Sequence, residues 1–232
     1  MGLQYQSETA TTEGLLDDVI SNVEGRLAEF ANSDHFHSTI ETSFGSDVSN
    51  EETARLRSEF LNQDFLDNME LELLPNSTLN GALGAYASAT DSIYLSQNLL
   101  VSSSQLTSTV LLEEVGHAID AQLNLQDGAG DEGAIFASLV QGESLTEEEF
   151  SGLQEEDDSA ILEMNGEPIR VEQAEFTVTN ASDGGEGSLR QAIVQANETA
   201  GTDVINFDSS LSGETISLTS GQLEITDALT IN

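Results

Sequence analysis

Apolar residues in the first part of the chain recur at helical spacing. Between Leu15 and Phe30 they stand three or four positions apart, which predicts an amphipathic helix with one buried side. Residues 51–66 repeat the pattern and predict a second helix of the same kind. Residues 1–14 are polar and carry no such stripe, so we predict a disordered N-terminus ahead of the first helix.

The middle of the chain mixes strand-like and helical patterns. "GAYASATDSIYLS" holds two strand-like runs separated by turn residues, which predicts a β-hairpin. A helix opening at Ser104 or a neighbouring serine follows, and "DEGAIFASLVQG" predicts another helix that starts at Asp131 and Glu132. "AILEMNGEPIRVEQ" predicts two strands joined by an Asn165-Gly166 turn.

Short β runs dominate the last part of the chain. "TVTN", "VINFD", "TISLTS" and "LEITDALTIN" follow one another at roughly ten to fifteen residues, a rhythm typical of β-solenoid coils. The last run stops at Asn232 without a capping element, so we expect the front of a longer architecture. The pattern predicts two units, residues 15–172 and residues 173–232.

The amino-acid composition limits which classes of molecule this protein can bind. The formal net charge is −38, and all five basic residues are arginine, so nucleic acid and anionic membrane surfaces are poor partners while divalent cations are favoured. No cysteine is present, which excludes disulfides and cysteine-bound zinc. No apolar run approaches the roughly 20 residues of a spanning helix, and no signal peptide is visible at the N-terminus.

One helix carries candidate metal chemistry. In "VLLEEVGHAID", Glu113 and His117 are four residues apart, so they lie on one helix face and can reach one ion. This stretch, with the hairpin before it and "DEGAIFA" after it, resembles the zincin metallopeptidases, the gluzincin-like ones most, over about residues 80–141. Acidic domains of this type are similar to those that precede repeat regions in large cyanobacterial surface proteins.

The resemblance implies a role for each residue. Glu113 stands where the His-Glu-x-x-His signature has its first histidine, Glu114 takes the place of the general base, and His117 that of the second ligand. The third ligand of the family is a glutamate on the next helix, which Glu132 matches best, with Asp131 as the alternative. A metallopeptidase of this kind holds zinc.

Glutamate at the first ligand position changes the expected chemistry. Two carboxylates and one imidazole neutralise the ion more than the usual set, which makes it a weaker Lewis acid and shifts its preference from zinc towards manganese, magnesium or calcium. Three readings stay open: a degenerate site without an ion, a bound ion without efficient hydrolysis, and an active peptidase. In the first, Glu113, Glu114 and His117 form an acid–imidazole cluster.

The other two histidines, His35 and His37, are weaker candidates for a metal site. His35 and His37 in "SDHFHST" alternate as in a strand, and a pair of this kind is more often simply surface-exposed than metal-binding. A carboxylate di-metal bundle needs a second Glu-x-x-His, which the sequence lacks.

The last part carries a second resemblance. "GSLRQAIVQAN" is similar to the "CSLREAI" motif that opens many secreted bacterial β-helices, with Gly187 in place of the cysteine. It implies a right-handed parallel β-helix, in which Arg190 is expected to pair with a carboxylate and fix the solenoid cap.

The expected fold class is therefore an α+β zincin-like domain followed by the N-terminal coils of a right-handed parallel β-helix. The leading functional hypothesis is a secreted or cell-surface protein whose degenerate metallopeptidase-like domain serves as a structural or binding module. An active metal-dependent peptidase and an adhesin-type structural repeat protein are the rivals. Expected partners are divalent cations and peptide or cell-surface ligands.

Overall fold

The computed structural model describes residues 2–46, 48–123, 130–155, 159–164, 166–174, 176–185, 187–198, 202–207, 211–226 and 228–232. In these ranges the α-helices are α1 (Gly2–Ala31), α2 (Phe36–Phe44), α3 (Asn50–Asn62), α4 (Gln97–Ser102), α5 (Ser104–Leu123), α6 (Glu132–Val140), α7 (Glu147–Glu155) and α8 (Leu189–Glu198). The strands are β1 (Glu70–Leu74), β2 (Gly84–Ala87), β3 (Ser92–Ser96), β4 (Ser159–Met164), β5 (Glu167–Ala174), β6 (Phe176–Val178), β7 (Thr202–Phe207) and β8 (Ala228–Ile231).

The larger sheet has five strands in the order β1-β3-β2-β5-β4 within the described residues. β1 runs parallel to β3, and the other neighbours are antiparallel. The β2–β3 and β4–β5 hairpins confirm the strand pairs predicted from the sequence, although Asn165 at the second turn lies outside the described residues. α5 packs against β2, β3 and β5, so this helix lies over the middle of the sheet.

The smaller sheet corrects the fold-class prediction. β6, β7 and β8 are parallel neighbours, but among the described residues neither sheet is closed or wound into a solenoid. The molecule is a mixed α/β fold with two small sheets, and the expected α+β domain followed by β-helix coils is wrong. The reason is that "TISLTS", which was expected to be a coil strand, forms none, so β6, β7 and β8 make a single open sheet.

Hydrogen bonds hold that extended segment in another way. Arg190 donates to Asp183 at 2.7 Å, which confirms the predicted pairing of this arginine with a carboxylate. The other oxygen of Asp183 accepts the backbone N–H groups of Thr219 and Ser220 at 2.9 and 2.6 Å. The bonds from Arg190 and from the Ser220 and Thr219 side chains hold the pKa of Asp183 well below its usual range.

The hydrophobic core crosses the predicted boundary between the two units. That boundary falls inside β5, and Phe176, Ile193 and Ile205 from the last part of the chain belong to the same buried cluster as the residues of α1 and α5. A buried hydrogen bond of 3.4 Å from Asn76 to Asp203 also joins the two parts. Both parts therefore contribute to the same buried cluster.

Two helices differ from the expectation. α1 begins at Gly2 and includes residues 2–14, which carry no apolar stripe and were predicted to be disordered. His35 is the residue that precedes α2, and His37 lies in α2 and contacts Glu41 at 3.3 Å, so these histidines do not alternate along a strand. None of the helices in the described ranges combines the length and apolar character needed to span a membrane.

A close contact between α5 and α6 positions the site. A Cβ atom placed on Gly116 would lie 2.6 Å from the Cα atom of Gly133 and 3.0 Å from its carbonyl oxygen. Only a residue without a side chain permits this approach of the two backbones. The element that Gly116 admits is α6.

We predict that Gly116→Ala destabilises the protein by about 1–3 kcal/mol, because the added methyl group meets backbone atoms that cannot rotate away. The matched control is Gly25→Ala in α1, where an added Cβ meets nothing within 4 Å. That change removes a flexible glycine from a helix and should stabilise by about 0.5–1 kcal/mol. Urea denaturation measures both, and equal stability changes in the two variants would contradict the proposed contact.

Candidate metal centre

α5 presents a row of ionisable side chains along one face. Glu113, His117 and Asp120 follow at intervals of four and three residues, so they stand one turn above another. The helix starts where the hydroxyl of Ser103 accepts the N–H of Leu106 at 3.3 Å, which agrees with the predicted serine cap. His117 is 2% exposed and Asp120 6% exposed, so this part of the row is inside the protein.

Three ionisable side chains converge, two from α5 and one from the residue that caps α6. Glu113, His117 and Asp131 each offer one ligand atom, and all three atoms lie within 4.8 Å of one another. Nε2 of His117 is 3.7 Å from Oδ1 of Asp131. Two ligands of a tetrahedral zinc ion at about 2.0–2.2 Å lie about 3.4 Å apart, so small shifts would bring these donors to bonding distance.

Asp131 reaches this position because it caps α6. Its Oδ1 accepts the N–H of Ala134 at 2.7 Å, and its own N–H donates to the carbonyl of Leu153 at 2.6 Å. A capping side chain folds over the helix end, and the contact of Gly116 with Gly133 brings that end beside His117. The described residues thus supply an imidazole and two carboxylates at one point.

Glu132, the residue preferred from the sequence, lies outside this group of three. A Cβ atom placed on Gly130 would lie 2.9 Å from the Oε1 atom of Glu132, so this side chain extends back towards Gly130. Burial, and then the charge of Asp120, raise the pKa of Glu132. The position of the helix start explains why Asp131 and not Glu132 joins the group: Asp131 is the cap that precedes α6, and Glu132 is the first residue of the helix.

Glu114 also lies outside the group. It is 0% exposed, and Gly84 of β2 lies directly on its carboxyl group: a Cβ atom on Gly84 would overlap Oε1 and lie 3.1 Å from Cδ. The side chain is therefore enclosed between α5 and the sheet. Although Glu114 is close to His117 in the sequence, its carboxyl group is not accessible to solvent.

The electrostatics favour a positive charge at this point. Burial raises the pKa of Asp131, although His117 and the N–H of Ala134 act in the opposite direction, and the charge of Glu172 adds to the rise. Buried carboxylates are costly unless they are protonated, paired or bound to a metal. A divalent cation between Glu113, His117 and Asp131 would meet this requirement.

Two further acidic residues at the site were not found from the sequence. Oε2 of Glu172 in β5 lies 3.2 Å from Nδ1 of His117. No local pattern indicates it, because the contact depends on the pairing of β5 with β2. Asp120 had a signal, since it continues the spacing from Glu113 and His117 by one turn.

We predict that Asp131→Asn weakens zinc binding by at least about ten- to hundredfold, which is the loss typical of removing a residue that only hydrogen-bonds to a metal ligand. Glu132→Gln should have little effect on zinc affinity. Asparagine still caps a helix, so the first variant removes the charge and keeps α6 intact. Titration against a chelator of known affinity measures both. A larger loss in Glu132→Gln than in Asp131→Asn would contradict this arrangement and favour Glu132 as the ligand.

Comparison of the chain with protein-family models, with curated proteins and with solved structures finds no match. The resemblance to zincins therefore stands on the motif residues alone. What the site does has to be argued from its geometry, its burial and its charge.

Proposed function

We propose that this chain carries a divalent-cation-binding module whose ligands are Glu113, His117 and Asp131. In this proposal the module hydrolyses peptides weakly or not at all, and it has a structural or binding role in a secreted or cell-surface protein. It keeps the helix of a metallopeptidase-like motif with glutamate at the first ligand position.

The convergence of three ligand atoms within 4.8 Å carries the proposal. Acidic residues are abundant in this chain, with 43 Asp and Glu, so carboxylates near each other mean little by themselves. A buried imidazole beside one carboxylate of its own helix and one from the cap of a second helix is a more specific arrangement, and neutral imidazole is the commonest protein ligand of metals. The strongly negative chain also concentrates cations around itself.

The donor set favours zinc first and manganese second. Imidazole suits zinc, carboxylate suits manganese, and affinities for mixed donors generally increase from manganese to zinc. Calcium takes six to eight oxygen ligands, and the described group offers two carboxylates and a nitrogen. We therefore expect the site to bind calcium more weakly than zinc or manganese.

Burial of the base supports the non-hydrolytic part of the proposal. A metallopeptidase needs a glutamate that reaches the water on the ion and an open position for the substrate. Glu114 is enclosed beneath Gly84, and His117 is almost fully buried. Two carboxylate ligands further reduce the acidity of any bound water, because they neutralise the ion.

We predict that the wild-type chain retains one zinc ion after dialysis at high ionic strength, which screens weak binding to the acidic surface. His117→Ala should retain none, because one ligand of the buried group is lost. His37→Ala, which removes an exposed histidine of α2, is the matched control and should bind as the wild type does. Elemental analysis counts the ions. An ion count of zero in the wild type contradicts the proposal and leaves a closed acid–imidazole cluster in an adhesin-type structural protein.

We also predict that the zinc-loaded wild type and Glu114→Gln cleave an unstructured peptide at the same low rate, since the carboxyl group of Glu114 has no access to the substrate. Cleavage is followed by mass spectrometry with and without a chelator. Activity that the chelator removes and that Glu114→Gln abolishes would establish the rival function, an active metal-dependent peptidase.

A further inference from the structure

β5 brings Glu172 to the face of the large sheet that α5 covers. Glu172 lies opposite Tyr86 of β2, and Tyr86 belongs to the core cluster on the α5 side. Its neighbours point to the other face, since side chains alternate along a strand. Val171 packs in a buried cluster that is separate from the one containing Tyr86, and Gln173 donates to the carbonyl of Leu79 at 3.1 Å. These contacts fix the register of β5 and hence the position of Glu172.

The imidazole of His117 lies between two carboxyl groups. Oε2 of Glu172 is 3.2 Å from Nδ1, and Oδ1 of Asp131 is 3.7 Å from Nε2. The two ring nitrogens point in different directions, so the contact at Nδ1 determines where Nε2 points. At 2% exposure the ring is confined by its surroundings.

Metal binding through Nε2 requires a lone pair on that nitrogen and therefore the proton on Nδ1. A carboxylate at Nδ1 accepts this proton in a hydrogen bond, which selects the tautomer, fixes the ring orientation and increases the basicity of the ligand. Glu172 occupies the position that this task requires.

We infer that Glu172 is a positioning residue of the cation site: it holds His117 through Nδ1 so that Nε2 faces the space between Glu113 and Asp131. This inference rests on the proposed function. It extends the site beyond the two helices to the β4–β5 hairpin, 55 residues after His117 in the chain. The hairpin whose strand β5 pairs with β2 is thus a functional part of the site.

The test measures zinc affinity by chelator competition in the full chain. Glu172→Gln keeps the shape of the side chain and removes its charge, and it should lower zinc affinity about ten- to hundredfold. Glu167→Gln, an exposed residue of the same strand, removes one charge in the same way and should leave the affinity unchanged. Glu172→Asp keeps the carboxylate on a shorter side chain and should recover part of the loss. Urea denaturation of each variant shows that it folds.

Nitrogen-15 NMR of the imidazoles gives a readout that a purely structural role would not change. The chain has three histidines, so His117→Ala assigns the buried one by difference. In the zinc-loaded wild type we expect metal on Nε2 and a slowly exchanging proton on Nδ1, and we expect that proton to exchange faster in Glu172→Gln.

Three results would overturn the inference, and they separate it from the proposed function. Equal zinc affinity in the wild type and Glu172→Gln would remove the role of Glu172 and leave the cation site standing. Zinc bound to Nδ1 of His117 would also exclude the role of Glu172 and leave the cation site standing. No zinc in the wild type would overturn both, because the inference depends on the site.

Discussion

The backbone contact between Gly116 and Gly133 is the constraint on which the site depends. It brings the start of α6 against the middle of α5, and a Cβ atom on either glycine would collide with the other helix or with its side chains. A Cβ atom on Gly133 would lie 2.5 Å from Nε2 of His117. The same contact that closes the core therefore sets the distance between His117 and the capping residue Asp131. Packing and ligand geometry are determined together.

Charge compensation gives the site its chemical character. Asp131, Glu114 and Asp120 are almost fully buried, and Glu172 and Glu132 are partly buried around the same histidine. A buried pair of opposite charges offsets only part of the cost of removing each from water. Carboxylates in such surroundings either take up protons or bind a cation, and binding couples the folded state to the metal. The strongly negative charge of the chain favours cation binding, because it concentrates cations around the protein.

The sequence predicts local structure well here and non-local structure poorly. Periodicity and capping residues predict α5, and turn residues predict both hairpins, because these depend on neighbouring residues. The choice between Asp131 and Glu132 depends on a helix boundary of one residue, which pattern reading does not resolve. Glu172 depends on the pairing of β5 with β2, which no local signal encodes. The solenoid expectation failed because the spacing of β runs does not reveal which runs become strands, and "TISLTS" does not become one.

X-ray absorption spectroscopy of the zinc-loaded protein tests the central claim most directly, because it identifies the atoms bound to the ion. The account predicts a first shell with one imidazole nitrogen and oxygen donors at about 2.0–2.2 Å. A shell of oxygen alone would place the ion on the acidic surface. A shell with two imidazoles would place it at His35 and His37. Either result would contradict a cation site built from Glu113, His117 and Asp131.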